Sequence, residues 1–369
     1  MSDDALMFRT YKYRLYPRKA EVRALETMLE QGREVYNGAL AECKQYYQAT
    51  GNGIWAMDQR DYFREWRKQD GILLNATSLN LILRRLDKAY AAFFRRVRAG
   101  ETPGYPRFKP PQRFNSLDYT YGNGCKLNVD KQTTLYVQNV GDIKVKFHRP
   151  LPQQHVIKQA NIKRCGRKWF VCLMMECEDL RYGCQPQPEV GIDVGLHKLL
   201  ALSDGQTLDN PRWLRSSLAE LRVAQRRLFR RKRGSNRRRK AAQQVALLHE
   251  RIAWRRRDFW HKVTRYLVGT YDVIAIEDMK LAFITHNEHL ALSAHDAGLG
   301  MFRQFLEYKA ESAGTRVIAV APHYTSQTCS GCGVIVEKDL SVRIHDCPHC
   351  GVQLDRDVNA ARNILFLAL

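Results

Sequence analysis

Four cysteines near the end of the chain carry the clearest chemistry in the sequence. Cys329 and Cys332 are separated by two residues, Cys347 and Cys350 likewise, and 14 residues lie between the pairs. Each C-x-x-C forms a tight turn that presents two thiolates, and two such turns close a tetrahedral Zn²⁺ site. Gly331, Gly333 and Gly351 relieve the turns, and Pro348 stiffens the second. The competing reading is a redox pair of C-x-x-C turns. Four thiolates fill the coordination of the metal, so a zinc held here is structural and His345 and His349 are bystanders.

Three carboxylates stand where metal-dependent phosphodiester chemistry could use them. Asp193 lies in Val190-Gly-Ile-Asp-Val-Gly. Strand alternation sets it on one face with Gly191 and Gly195, and Val190, Ile192 and Val194 on the other. An Asp flanked by glycines has room beside it for an ion and a phosphate; an Asp that merely makes a turn at a strand end fits equally. Glu277 closes the apolar run VIAIE. A carboxylate buried at the end of such a strand is costly unless a cation neutralises it. Asp278 faces the other way and competes with Glu277 for that role. Asp357 opens the last helical run, on one face with Ala360, Ala361, Ile364 and Ala368, while Asp355 reads as the N-cap. The simpler reading of Asp357 is an acid that complements the helix dipole. Three acids from a first strand, a later strand and a terminal helix would build a two-metal site, with Mg²⁺ suited to the hard oxygen ligands.

These residues need elements to hold them. Residues 8–17 alternate and end at Pro17, so they read as a strand. Apolar residues recur at helical spacing in 20–47 (Val22, Leu25, Leu29, Val35, Leu40) and in 75–97 (Leu79, Leu83, Leu86, Tyr90, Phe94). Arg84, Arg85, Lys88, Arg95 and Arg96 form a basic stripe between the latter positions. Thr77, Ser78 and Asn80 sit near that helix's start, where they could reach base edges or serve as caps. A Pro-punctuated loop from 103 leads into six strand-like runs that end in WFVCLMMEC. Cys172 and Cys177 within that last run face opposite ways and read as core residues. From about Pro188 the strands EVGIDVG and KLLALSDG precede two basic helical segments over 212–257. That window holds 17 Lys or Arg, among them Arg230, Arg231, Arg233, Arg237 and Arg238, against Glu220 and Glu250 alone. Then follow the strand YDVIAIED, a loop over about 281–298, a helix, the strand RVIAVAP, the cysteines and the last helix. Tyr46, Tyr47, Trp55, Tyr119 and Tyr121 could stack on bases, although aromatics in such segments more often fill cores.

At 369 residues the chain is long enough for two or three domains. It carries 60 Lys plus Arg against 38 Asp plus Glu, a net charge of +22. Such an excess is not needed for folding and points to a polyanion, nucleic acid ahead of an anionic membrane surface. No apolar run approaches the roughly 20 residues of a membrane span. The start MSDDALMF is acidic rather than a secretory leader, so a soluble, cytoplasmic protein is expected. Ten cysteines in so long a chain fit free thiols plus one metal site; Cys43, Cys125, Cys165, Cys172, Cys177 and Cys184 are scattered. Neither a Walker-type phosphate loop nor a nucleophile elbow occurs.

The order GIDVG, IAIED, SQTCSGCG…CPHC and LDRDVNAARNI resembles the RuvC-type nuclease and zinc ribbon of the TnpB family, the transposon-encoded relatives of type V CRISPR effectors. YKYRLYP, REVYNGAL and LDKAYAAFFRR…PGYPRFK match its N-terminal pattern. The resemblance implies an α+β multidomain fold. A wedge β-barrel (1–17 and 103–186) is interrupted by a helical recognition lobe (18–102). An RNase H-like RuvC domain (187–321 and 353–369) carries an inserted zinc ribbon (322–352). It implies a guide RNA from the transposon end and a double-stranded DNA target cut beside a short adjacent motif; the sequence leaves the oligomeric state open, with a monomer on its RNA expected. Catalytic acids then fall on Asp193, Glu277 and Asp357 with two Mg²⁺, and one Zn²⁺ on the cysteines. Some relatives have lost these acids and act as RNA-guided repressors; this chain keeps all three. Older descriptions of the family as strand-joining transposases name the other alternative. The chain also stops soon after its last helix, where relatives often carry a longer tail.

Overall fold

The computed structural model describes residues 6–128, 133–178, 187–278, 288–339 and 342–369. The chain divides into two compact units, residues 1–179 and 180–369. Cys184 lies outside the described residues.

The first unit opens with strand β1 (Leu6–Tyr16) and helices α1 (Lys19–Thr50), α2 (Ala56–Trp66) and α3 (Ala76–Arg98). Strands β2 (Ser116–Thr120), β3 (Cys125–Leu127), β4 (Thr134–Val137), β5 (Gly141–Lys146), β6 (His155–Cys165) and β7 (Lys168–Glu178) follow. They form one antiparallel sheet in the order β2-β6-β7-β1-β5-β4-β3. The two edge strands, β2 and β3, are consecutive in the chain. The turn between them is closed by Gly122 N–H donating to the Cys125 carbonyl at 3.0 Å. The sheet therefore curls into a nearly closed barrel, with β2 and β3 as its two edges. Its inward residues alternate along the strands as a buried apolar set: Tyr13 and Leu15, Leu117 and Tyr119, Leu135 and Val137, Val171 and Leu173. The helical stripes of α1 (Leu25, Met28, Leu29, Val35, Leu40) and α3 (Leu79, Ile82, Leu83, Leu86) join the same core. Phe94 departs from the expected stripe: it is exposed at the end of α3, against Tyr90 and Phe93.

The second unit contains β8 (Glu189–Val194), β9 (Lys198–Leu202), β10 (Thr207–Asp209), α4 (Trp213–Phe229), α5 (Asn236–Thr270) and β11 (Val273–Glu277). After these come α6 (Glu288–Ala297), α7 (Leu299–Ala313), β12 (Arg316–Val320), β13 (Ile344–Asp346), β14 (Gln353–Asp355) and α8 (Arg356–Ala368). The main sheet has the order β10-β9-β8-β11-β12, in which β8, β11 and β12 pair in parallel and β9 pairs antiparallel with both β8 and β10. One face, with Val190, Ile192, Ile274 and Ile276, packs on Trp260 and Leu267 of α5 and on Phe302 and Leu306 of α7. The other face carries Ala275 and Ile318 and is covered by Ile364 and Leu365 of α8.

The loop expected over 281–298 is corrected by α6, which begins at Glu288; residues 281–287 lie outside the described residues. The helix lacks a long apolar stripe and is held by tertiary contacts instead. Asp296 accepts the Leu214 and Arg215 N–H groups at 2.8 and 3.2 Å and pairs with Arg256, and Trp260 Nε1 donates to the Ala297 carbonyl at 2.8 Å. Among the described residues no helix is long and apolar enough to cross a membrane.

Candidate active site and metal centre

The approach of α8 to β8 decides the geometry of the acids. A Cβ on Gly191 would overlap the Ala361 carbonyl and lie 2.7 Å from the Leu365 nitrogen. Only a residue without a side chain lets the helix backbone rest on the strand there. Asp193 is two residues further along β8, roughly 7 Å on the same face. Asp357 is four residues back along α8 from Ala361, roughly 6 Å in the same direction. On the neighbouring parallel strand the ladder pairs Ala275 with Gly191 and Ile276 with Ile192. Glu277 and Asp193 are the next residues of the two strands, at their carboxyl ends, where open parallel sheets place their ligands.

Electrostatics reports the same convergence. The Asp193 carboxyl is pushed up to about 7, first by burial and then by the negative charges of Glu277 and Asp357, against a smaller opposing pull from Arg356. Three acids that repel one another in a partly desolvated recess call for a cation. Thr325, 5% exposed, donates its hydroxyl to Glu277 Oε1. Its own carbonyl accepts from the Asn363 amide of α8 at 2.8 Å. Asp355 caps α8 by accepting from the N–H groups of Asp357 and Val358, and it pairs with Lys198 at 2.9 Å. Asp278 points away and pairs with Arg303 at 2.8 Å.

The four cysteines are the tight donor cluster among the described residues, with all four sulfurs within 4.8 Å of one another; the three carboxylates are spaced more widely. Cys329–Cys350 and Cys332–Cys347 sulfurs are each 3.6 Å apart. That is far beyond the ~2.05 Å of a disulfide, and close to the ~3.8 Å edge of a tetrahedron with Zn–S bonds of about 2.3 Å. Backbone N–H groups of Cys350 and His349 pull the Cys347 thiol down to about 6. Two buried asparagines of α8 fasten this centre to the helix that bears Asp357. Asn359 accepts from Ser330 N–H at 2.9 Å and donates to the Thr328 carbonyl, which Asn363 also reaches at 2.7 Å.

Some of the nucleic-acid candidates are already engaged inside the protein. Ser78 is fully buried and donates to the Asp118 carbonyl at 2.8 Å, which removes it from any base-reading role. Arg85 is held by Asp118 at 2.5 Å and by the Ser116 carbonyl. Arg238 donates to the Leu228 and Arg231 carbonyls, closing the turn between α4 and α5. Thr77 is partly exposed, whereas Asn80, Arg84, Arg230, Arg231, Arg233 and Arg237 are exposed. Tyr119 is core, while Tyr46, Tyr47 and Trp55 are exposed and Tyr121 is half-buried. Nothing in the spacing of Thr325, Asn359 and Asn363 distinguishes them from ordinary polar residues; only the packing of α8 does.

Family models match three stretches of the chain: "Helix-turn-helix domain" over residues 7–52, "Probable transposase" over 173–287, and "Cas12f1-like, TNB domain" over 300–364. The first of these stretches folds here as a strand followed by one long helix. A Streptomyces pristinaespiralis protein described as "Putative RNA-guided DNA endonuclease" is 32% identical, across 98% of this chain and 89% of its own length. The chain belongs to the TnpB family. A relative from Escherichia coli K12, InsQ, carries the same description at 29% identity over 96% of this chain and 91% of its own. The protein of a Cas12f1–sgRNA–target DNA complex solved by cryo-EM has the same fold. It covers 97% of this chain and 98% of its own, with a TM-score of 0.60 at 14% identity.

Proposed function

We propose that this TnpB-family chain is an RNA-guided DNA endonuclease of a transposon, cutting double-stranded DNA beside a short adjacent motif. The observation that carries the reading is the meeting of Asp193, Glu277 and Asp357 at the carboxyl ends of β8 and β11, with Asp193 driven up to about 7. Full-length similarity to proteins described as RNA-guided DNA endonucleases supports it. In this reading the first unit comprises the wedge barrel (1–17, 103–186) and the recognition lobe (18–102). The second comprises an RNase H-like RuvC domain (187–321, 353–369) with its zinc ribbon (322–352).

Two Mg²⁺ held by the three carboxylates would neutralise them, activate the attacking water and stabilise the leaving oxygen. The chain's own residues do the rest. Thr325 fixes the orientation of Glu277. Gly191 sets the depth of α8 and hence of Asp357. Zn²⁺ on the four cysteines is structural, and Asn359 and Asn363 pass its order to α8. Sequence recognition belongs mainly to guide–target base pairing, with the protein reading the adjacent motif. Thr77, Asn80 and Arg84 of α3 remain in the proposed nucleic-acid surface, as do the exposed arginines between α4 and α5.

Incubating the protein–RNA complex with a target plasmid and Mg²⁺ tests the reading. Linear product supports it. Bound, intact plasmid would make the chain an RNA-guided repressor, and joined strands a transposase.

A further inference from the structure

The two carboxyl oxygens of Glu277 are not equivalent. Oε1 accepts the hydroxyl of Thr325, while Oε2 has no hydrogen bond or ion pair among the described residues. Both ends of the contact are fixed. Glu277 closes β11, where the ladder pairs it with Val320 of β12, and the next N–H, that of Asp278, donates to the Val320 carbonyl at 2.8 Å. Thr325 lies in a turn with an unusual backbone: Tyr324, just before it, is left-handed at φ +58°, uncommon for a residue with a side chain. The Tyr324 carbonyl accepts from the Gln327 and Thr328 N–H groups at 3.0 and 2.9 Å. Asn363 of α8, itself buried, donates to the Thr325 and Thr328 carbonyls, and Asn359 donates to the latter as well. The helix that carries Asp357 therefore also sets where the Thr325 hydroxyl sits. Thr325 is buried, so little water competes for that hydroxyl.

An ionised carboxylate can hold a cation through one oxygen or chelate it through both. A hydroxyl donating to Oε1 places the partial positive charge of its proton there and leaves Oε2 for the ion. The difference separates divalent cations. Mg²⁺ is small and demands a near-ideal octahedron, two corners of which the closely spaced oxygens of one carboxylate fill poorly. Ca²⁺ is larger, takes more ligands in flexible geometry and readily accepts a carboxylate through both oxygens.

We infer that Thr325 is a positioning residue that holds Glu277 to single-oxygen coordination and so biases the three acids toward Mg²⁺ and against Ca²⁺. This bias rests on the metal reading of the acids above and not on DNA cleavage.

The test uses the full zinc-loaded chain at pH 8 without nucleic acid, its melting temperature followed across MgCl₂ and CaCl₂ series. The quantity read is the ratio of the half-saturating Ca²⁺ and Mg²⁺ concentrations. Thr325→Val keeps the side chain's shape and removes the hydroxyl, and should lower that ratio about fivefold in favour of Ca²⁺. Thr325→Ser keeps the hydroxyl and should match wild type. Thr325→Ala should shift the ratio in the same direction as Thr325→Val, so that the outcome does not hang on the folding of one variant. Loss of the hydroxyl also leaves more charge on the carboxylate, but this favours both ions alike and cancels in the ratio. Asp193→Asn should abolish the response to both ions, which locates their binding at the acids. An unchanged ratio in Thr325→Val and Thr325→Ala would overturn the assignment, as would an equal shift in Thr325→Ser. No response of wild type to either ion would overturn the metal reading and the role of Thr325 together. If the ratio shifts in a chain that cuts no plasmid, the nuclease reading falls and the role of Thr325 stands.

Discussion

In the proposed reading the chemistry turns on Asp193, whose carboxyl is crowded by two others. Asp193→Ala, Glu277→Ala and Asp357→Ala are each expected to abolish plasmid cleavage and to leave RNA-guided DNA binding within about twofold. Each would remove a proposed metal ligand together with a negative charge, so none repels nucleic acid. Wild-type cutting by any one of them, in a gel assay, takes that residue out of the site. The raised Asp193 pKa adds a second expectation. A carboxyl raised in the folded state binds its proton more tightly there than in the unfolded chain. The folded state therefore carries no charge penalty below the unfolded value near 4, and acquires one as pH rises through about 7. Without metal, Asp193→Asn should melt higher than wild type at pH 8, by roughly 2–4 °C for about 1 kcal/mol, and equal it near pH 4. Adding Mg²⁺ should raise the wild-type melting temperature at pH 8 and leave that of the variant unmoved. Equal melting curves at both pH values would mean that Asp193 is not under charge stress.

At the scale of elements, the site depends on how closely α8 lies on β8 and on what holds it there. Gly191→Ala forces a methyl group into the α8 backbone. A cost of about 1–3 kcal/mol is expected, seen as a lower melting temperature, together with a cleavage loss far larger than the stability loss explains, because Asp357 moves with the helix. An unperturbed cleavage rate would show that α8 adjusts without carrying Asp357 away. The four-cysteine cluster is tied to the same helix through the Asn359 and Asn363 bonds to residues 328 and 330. Elemental analysis should find one zinc per wild-type chain and none after Cys329→Ser or Cys347→Ser, with cleavage falling indirectly. A zinc-free wild type that still cuts would remove the metal from the structural account.

Across the whole molecule, the net charge of +22 suits a polyanion. An excess of +22 makes association with nucleic acid strongly salt-dependent. The turn between α4 and α5 concentrates that excess where few acids offset it. Replacing Arg230, Arg231 and Arg233 together with Gln should weaken binding to every target sequence alike. It should reduce the log–log salt slope by about 2–3 if all three touch phosphates. An unchanged slope would make the arm a solvated surface, and an altered target preference would mean that these arginines read bases.

The sequence alone determined what depends on local spacing. Two C-x-x-C turns, alternating strands with an acid at the end, and a helix with Asp357 on its apolar face all follow from periodicities of two to four residues. The same holds for the barrel strands and for the helical stripes of α1 and α3. What depends on which element lies beside which was decided only in three dimensions. Glu277 and Asp278 are indistinguishable by spacing; the parallel register with β8 sets the first beside Asp193, while the second meets Arg303 of α7. Ser78, Arg85 and Arg238 have the residue types and positions of nucleic-acid contacts, yet carbonyls and an acid supplied by other elements take them up. Helix α6 has too weak an apolar stripe to announce itself, and it exists through the contacts made by Asp296 and Ala297. A side chain's periodicity shows which face it occupies, but the identity of its partner belongs to the long-range packing that no local pattern encodes.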